Sequence, residues 1–166
     1  HVRSRRQRQM CIRDRYLNEE KLALYNTVKD FAKNEIKPFA DEWERDGFFP
    51  AHDLFKKMAE LDLLGITKNE KYGGMGLNYS YGIIFAEALG NADDCGIVTA
   101  IGVQTDMATP ALERYGSHKL KQEFLIPSIE GEMVASVAIS ESGGGSDVSA
   151  LKTNACLLYT SPSPRD

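Results

Sequence analysis

The sequence predicts a mainly α-helical fold that continues into the first strand or strands of a second domain. Apolar residues recur at helical spacing in successive segments from residue 17 to about residue 130. Proline and glycine, which end or interrupt helices, separate these segments. The pattern then changes to a short apolar run, Met133–Ile139, whose valines and isoleucine are typical of a buried strand. We therefore expect a helical domain over residues 16–131 and the start of a β domain over residues 132–155.

The first three helices are predicted from apolar stripes and their boundary residues. Leu17–Ile36 forms one stripe, which Pro38 interrupts, and the next segment ends at Gly47. A third helix begins at Pro50 and is expected to end at Gly65 as a C-terminal cap. Its stripe is Leu54, Phe55, Met58, Leu61 and Leu64.

Trp43 lies among charged residues on the second segment. A tryptophan in that setting suits a ligand platform or a packing anchor, and packing is the commoner role. The sequence leaves both interpretations open.

The later helices carry clear start signals. Asn78 is a predicted cap for a helix whose stripe is Tyr81, Ile84, Phe85, Ala88 and Leu89. A bland apolar helix covers Cys95–Met107. Three polar residues on or beside it either end the helix or line a pocket: Gln104, Thr105 and Thr109. Ser117 caps the last helix, and the adjacent His118 has no partner nearby in sequence, so no function is expected of it.

Both ends of the chain look foreign to the rest. Residues 1–15 hold six arginines and one aspartate without apolar periodicity, and residues 156–166 have no pattern either. Both stretches resemble translations of the adapter sequences used in sequencing-library preparation. We therefore expect residues 1–15 and 156–166 to be non-native and exclude them from the fold argument.

The remaining stretch, residues 16–155, is acidic. It holds 13 lysines and arginines against 22 acidic residues, which gives a net charge near −9. That balance argues against nucleic-acid binding. Cys95 is the sole cysteine of this stretch, so no disulfide framework or cysteine metal site is expected, and an intracellular compartment is favoured. No apolar run reaches the length of a membrane span.

A glycine-rich stretch after the predicted strand is the strongest candidate for a binding site. Gly143–Gly145 lies between Ser140 and Ser146. Glycine lets the backbone approach a bound group closely, and successive free N–H groups can form a nest for an anion or a carbonyl oxygen. Most such turns bind nothing, however. The stretch is neither a P-loop nor a dinucleotide fingerprint, because its glycines are contiguous and neither lysine nor a helix pattern follows.

The run 137–147, followed by Thr153, resembles the flavin signature of acyl-CoA dehydrogenases. That signature reads apolar-x-apolar-Thr-Glu-Pro-x-Ala-Gly-Ser-Asp, with a threonine six residues later. The matching residues are Glu141, Gly145, Ser146, Asp147 and Thr153. Ser140 stands for the threonine and keeps its hydroxyl, while Ser142 replaces the proline and Gly144 the alanine.

Two further stretches resemble the same family. Residues 65–76 are similar to Gly-Ile-x-x-Pro-Glu-x-Tyr-Gly-Gly-x-Gly, with Asn69 in place of the proline. Residues 115–132 match the family at Gly116, Lys121, Phe124, Leu125, Pro127, Gly131 and Glu132. The resemblance covers nearly all of residues 17–155.

The resemblance implies an all-α N-terminal domain followed by the start of a β-barrel-like middle domain that is truncated here. It implies FAD as cofactor, with backbone groups from Val137 through Ile139 and the Ser140 hydroxyl against the flavin. Gly145 and Ser146 would lie beside the flavin, and Ser146 would also contact the substrate. The family's catalytic glutamate lies in a later domain, so no catalytic residue and no metal ligand is expected in this chain, and we expect the chain alone to be inactive.

The expected reaction is α,β-dehydrogenation of an acyl-CoA thioester in fatty-acid or branched-chain catabolism. The family further implies a homotetramer that passes electrons to an electron-transferring flavoprotein. The location would be the mitochondrial matrix in a eukaryote or the cytoplasm in a bacterium. The alternatives are an acyl-CoA oxidase or another flavoenzyme of the same fold, and a non-catalytic helical binding module.

Overall fold

The computed structural model describes residues 17–154. The chain divides into two units, His1–Ser136 and Val137–Asp166, which are considered separately below. The predictions made for residues 1–15 and 156–166 lie outside the described residues.

The first unit is built from α-helices joined by short π-helical and 3₁₀ turns. The α-helices are α1 (Glu19–Phe31), α2 (Ala40–Asp46), α3 (Ala51–Ala59), α4 (Tyr79–Leu89), α5 (Cys95–Gly102), α6 (Thr109–Tyr115), α7 (His118–Leu120) and α8 (Ile126–Ile129). π-helical turns extend three of them over Ala32–Ile36, Val103–Ala108 and Lys121–Leu125. The 3₁₀ turns of this unit are Glu70–Tyr72 and Gly90–Ala92. None of the helices within residues 17–154 is long and apolar enough to cross a membrane.

Local caps set several of the helix ends, as the sequence predicts. The Asn78 side chain accepts a hydrogen bond from the Ser80 amide at 3.0 Å at the start of α4. Ser117 accepts from the Leu120 amide at 3.2 Å at the start of α7. Gly47 ends α2 with a φ of +65°, in the left-handed region that glycine tolerates.

The prediction that Gly65 ends the third helix is wrong. Helix α3 ends at Ala59, and the chain turns at Asp62, where φ is 57°. Leu61, placed on the predicted stripe, is consequently exposed. Gly65 instead permits close packing, because a Cβ atom there would lie 2.9 Å from the Ile129 side chain.

The core of the first unit lies chiefly between α1 and α4, whose predicted stripes are mostly buried. All five residues predicted for the α4 stripe are buried, whereas Leu22 of the α1 stripe is 47% exposed. A smaller apolar cluster joins the 3₁₀ turn at Tyr72 to Leu125 and Ile129. This second cluster holds the loop 65–76 against the helices at the C-terminal end of the first unit.

The strand predicted over Met133–Ile139 does not form in this chain. Residues 134–140 have no regular secondary structure, and the described residues contain only one isolated bridge, between Glu141 and Gly144. A strand is stabilised by hydrogen bonds to a neighbouring strand. No second strand is present within residues 17–154 to supply those bonds.

Candidate functional site

The glycine-rich stretch folds into a tight turn that opens the second unit. The Glu141 amide donates to the Gly144 carbonyl at 2.8 Å, and the Gly144 amide donates back to the Glu141 carbonyl at 3.2 Å. A Cβ atom added at Gly143 would meet nothing within 4 Å. The turn therefore presents its glycines to open space on the side of Gly143.

The Glu141 side chain ties this turn to residues further along the chain. Its carboxylate accepts hydrogen bonds from the amides of Lys152 at 2.9 Å and Thr153 at 2.8 Å, and also from the Thr153 hydroxyl. These bonds, that of the Thr153 hydroxyl above all, lower the pKa of Glu141 from its ordinary value. The glutamate and threonine of the motif thus act together to close the loop.

Asp147 has a comparable structural role at the other end of the turn. Its carboxylate accepts from the Ser149 amide at 3.1 Å and from the Ser149 hydroxyl at 2.5 Å. The Ser149 hydroxyl is the main cause that lowers the pKa of Asp147. Asp147 thereby caps the 3₁₀ turn Val148–Ala150.

The predicted cofactor-binding residues lie on this exposed segment. The side chains of Val137 and Ile139 are 38% and 46% exposed, and the backbone amides of residues 137–140 donate no hydrogen bond to any of the described residues. Ser140 and Gly145 come together, since a Cβ atom added at Gly145 would lie 3.7 Å from the Ser140 hydroxyl oxygen. Ser146 is exposed on the same turn.

Unpaired backbone donors beside exposed apolar side chains and two hydroxyls suit a planar ligand with polar edges. The amides could donate to carbonyl or ring acceptors, while the apolar side chains cover the ring face. The residues present therefore fit a flavin in their chemistry.

The structure shows the role of Gln104. The sequence left it either as an ordinary polar residue at a helix end or as part of a pocket lining. Its side chain is 1% exposed, and its amide nitrogen donates to the carbonyls of Ser128 and Met133, each at 3.0 Å. Its amide oxygen accepts from the Ala135 amide at 2.7 Å. Gln104 thus holds residues 128–135, the segment that leads out of the helices.

The two threonines near Gln104 serve the helices themselves. The Thr105 hydroxyl donates to the Ile101 carbonyl at 3.1 Å, and the Thr109 hydroxyl donates to the Gln104 carbonyl at 2.6 Å. For these two residues the structure favours ordinary helix polarity over the pocket interpretation.

No local pattern in the sequence indicates that Lys68, in the loop 65–76, is buried. Lys68 is 2% exposed, and its Nζ donates to the Thr105 carbonyl at 2.8 Å. Burial lowers the pKa of Lys68, while the carboxylates of Glu113 and Asp106 act in the opposite direction. Lys68 therefore fastens the loop 65–76 to the π-helical turn Val103–Ala108.

His118 has a partner that lies far away in sequence. Its Nδ1 lies 3.2 Å from the Tyr72 hydroxyl, and the two rings are tilted at 49° with centroids 5.8 Å apart. The ammonium groups of Lys71 and Lys121 lie 5.7 and 5.5 Å from the centre of the Tyr72 ring. That His118 has no function stays a prediction, but it does contribute to packing.

Within residues 17–154, no group of three or more histidine, cysteine, aspartate or glutamate residues is placed to hold a metal ion. Cys95 is exposed and free.

Comparisons with known proteins agree with the helical fold. The family described as "Acyl-CoA dehydrogenase, N-terminal domain" matches residues 18–132. The chain belongs to the acyl-CoA dehydrogenase family.

Individual relatives support the assignment over most of the chain. A mitochondrial isovaleryl-CoA dehydrogenase of Solanum tuberosum is 38% identical over 130 residues, which are 78% of this chain and 31% of the relative. The crystal structure of an acyl-CoA dehydrogenase from Geobacillus kaustophilus matches with a TM-score of 0.74 at 31% identity, covering 82% of this chain and 35% of that one. A Bacillus anthracis acyl-CoA dehydrogenase complexed with FAD matches with a TM-score of 0.75 at 29% identity, covering 82% and 23%. The chain thus spans about a third of the length of the curated relatives it matches.

Proposed function

We propose that this chain is the N-terminal part of an FAD-dependent enzyme that dehydrogenates acyl-CoA thioesters. The observation that carries the proposal is the family match over 18–132 followed directly by a loop in which Glu141 and Thr153 are hydrogen-bonded. The helical fold agrees with this assignment, since the solved structures from Geobacillus kaustophilus and Bacillus anthracis that match it are acyl-CoA dehydrogenases. A bound FAD in such an enzyme supplies the acceptor for the hydride that leaves the substrate.

The second unit supplies the residues that would hold the flavin. We assign the backbone of Val137 and Ile139, the Ser140 hydroxyl and the Gly145 backbone to cofactor binding, and Ser146 to both cofactor and substrate. The support is that the backbone amides of residues 137–140 donate no hydrogen bond within the described residues and that Ser140 lies against Gly145. Glu141 and Asp147 would act only indirectly, because their carboxylates are already engaged in holding the turn.

The finer features of the proposal rest on the family resemblance. The substrate would be an acyl-CoA of fatty-acid or branched-chain catabolism, the electron acceptor an electron-transferring flavoprotein, and the full-length assembly a homotetramer. The location would be the mitochondrial matrix if the source is eukaryotic and the cytoplasm if it is bacterial. Residues 1–15 and 156–166 would not belong to the parent protein.

The chain by itself is expected to be inactive. It contributes about a third of the length of its relatives, and the two carboxylates in the described part of the second unit, Glu141 and Asp147, are engaged in holding the turn. Dehydrogenation of isovaleryl-CoA or butyryl-CoA by the 166-residue chain would contradict this expectation.

The test of the proposed function begins with the source transcript, sequenced outward beyond residues 16 and 155. The full-length protein encoded there should be purified and examined for flavin absorbance. Isovaleryl-CoA or butyryl-CoA should then bleach that absorbance in the absence of oxygen. A full-length protein that carries no flavin, or whose flavin is reduced by no acyl-CoA of short, long or branched chain, would overturn the proposal.

A pair of variants tests the assignment of the Ser140 hydroxyl to the flavin. Ser140→Ala in the full-length protein should slow flavin reduction and lower flavin content, because it removes a hydroxyl assigned to the flavin edge. Ser142→Ala, two residues away on the same turn, is the matched control and should leave the rate of flavin reduction and the flavin content unchanged.

The full-length protein also distinguishes a dehydrogenase from an oxidase. Oxygen consumption during turnover would identify an oxidase instead.

A further inference from the structure

A pocket of about 330 Å³ lies between the end of α2 and the start of α5. The residues that line it include three aromatic ones, two acidic ones and one isoleucine: Trp43, Phe48, Phe49, Glu44, Asp94 and Ile97. None of these residues belongs to the loop assigned above to cofactor and substrate, so the pocket requires a separate explanation.

The aromatic walls are held in a fixed arrangement. The rings of Trp43 and Phe49 meet at 47° with centroids 6.3 Å apart, and both pack against the core. Phe39 stacks on Trp43, with centroids 5.5 Å apart. Core packing explains the rings of Trp43 and Phe49, but it does not explain Phe48, which is 72% exposed and lines the same pocket.

The charge of the pocket is negative. Glu44 and Asp94 line it, and no lysine or arginine does so. Asp94 is held in place because its Oδ1 accepts a hydrogen bond from the Ile97 amide at 2.8 Å. The pocket therefore disfavours anions.

Two basic residues of this region, Arg45 and Lys37, have partners outside the pocket lining. Arg45, next to Glu44 in sequence, donates from Nε to the Asp41 carbonyl at 3.1 Å. Lys37 is paired with Asp93, the residue before Asp94. Neither cation is among the residues that line the pocket, so the charged residues that line it are both acidic.

We propose that this pocket binds a quaternary ammonium group. The faces of aromatic rings attract cations, and a methylated ammonium presents an apolar surface that suits rings better than a hydrated metal ion does. The two acidic residues complement its charge, and the exposed Phe48 adds a further aromatic ring. The site is independent of the proposed dehydrogenation, and its test does not depend on flavin or activity.

The site has a built-in reporter, because Trp43 is the single tryptophan of the chain. The 166-residue chain should be titrated with choline chloride while tryptophan fluorescence is recorded. Two matched titrations use sodium chloride at the same ionic strength and 3,3-dimethylbutanol, a neutral molecule of the same shape as choline. A saturable change with choline alone is the expected result. Equal changes with sodium chloride or with the neutral alcohol would overturn the proposal.

Variants of exposed residues sharpen the test without disturbing the core. Phe48→Ala and Glu44→Gln should each weaken choline binding by about three- to tenfold, the effect of losing one ring face or one nearby charge. Glu42→Gln, on the same helix but outside the pocket lining, should change the affinity less than about twofold. Circular dichroism verifies that all three variants remain folded. Unchanged affinity in both pocket variants would overturn the proposal.

A last titration identifies the source of the ammonium group. A short peptide with one trimethyllysine is compared with choline and with the same peptide carrying unmodified lysine. Tighter binding of choline assigns the group to a free small molecule, whereas tighter binding of the trimethylated peptide assigns it to a protein chain. Equal binding of the modified and unmodified peptides, together with weaker binding of choline, would contradict recognition of a quaternary ammonium.

Discussion

The two units of the chain contain similar apolar residues but use them differently. In the first unit, residues such as Ile101 and Leu125 are fully buried among helices. In the second unit, Val137 and Ile139 are 38% and 46% exposed, although valine and isoleucine favour strands. The difference shows that strand propensity produces a strand only where a neighbour supplies hydrogen bonds and an apolar surface, whereas helices satisfy their own backbone.

The largest expected effect is on the free energy of unfolding, and the comparison is between one isoleucine in each unit. Ile101→Ala should lower the free energy of unfolding by about 2–5 kcal/mol, because it leaves a cavity in a packed core. Ile139→Ala should change it by about 0.5 kcal/mol or less, since that side chain has little to lose on unfolding. Urea denaturation followed by helical circular dichroism measures both. Equal losses would show that the second unit is packed as tightly as the first.

A second prediction concerns the amide that holds residues 128–135. Gln104→Leu should lower the free energy of unfolding by about 2 kcal/mol or more, because it leaves the Ala135 amide and the Ser128 carbonyl without their partner. Gln122→Leu, an exposed change of the same type, should cost less than about 0.5 kcal/mol. The same urea titration compares the two variants. Similar losses in both would mean that water replaces the bonds of Gln104 at no cost.

A third prediction concerns pH and the buried Lys68. Burial lowers the pKa of Lys68 in the folded chain below the ordinary 10.5. At a pH between this lowered pKa and 10.5, the folded state therefore binds fewer protons than the unfolded state. Its contribution to stability should therefore rise as the pH increases toward 10.5. Relative to Lys68→Met, the wild-type chain should gain at most about 1.4 kcal/mol per pH unit in that range. A flat or falling difference in urea titrations across this range would contradict the burial of a charged ammonium.

The smallest expected effect lies in the second unit. The pKa of Glu141 is lowered in the folded chain from its ordinary value of 4.5. The hydrogen bonds of its carboxylate therefore stabilise the loop at pH values above 4.5, and this stabilisation is lost as the pH falls through the lowered pKa. Thr153→Val removes the hydroxyl that is the main cause and should raise the pKa of Glu141 toward 4.5. An NMR titration of the Glu141 side-chain carbon measures it. Ser142→Ala is the control, and an equal shift in that variant would assign the effect to loop composition instead.

The sequence alone placed the helices and the turn that carries the candidate site. Caps such as Asn78 and Ser117, and Gly47 at a helix end, act within a few residues, so their effect is readable from local order. The α4 stripe was predictable for the same reason, because its spacing is a property of one helix. The positions of Glu141 and Thr153 follow from the motif, although their hydrogen bond required the fold.

Tertiary structure decided the contacts between distant residues. Lys68 meets the Thr105 carbonyl 37 positions away, and His118 meets Tyr72 46 positions away, separations that no local pattern encodes. Gly65 was predicted as a cap and instead admits the Ile129 side chain, while the segment 133–139 has strand composition and no partner strand. Caps and helical periodicity depend on neighbours in sequence, but burial, close approach and strand pairing depend on what the folded chain brings alongside.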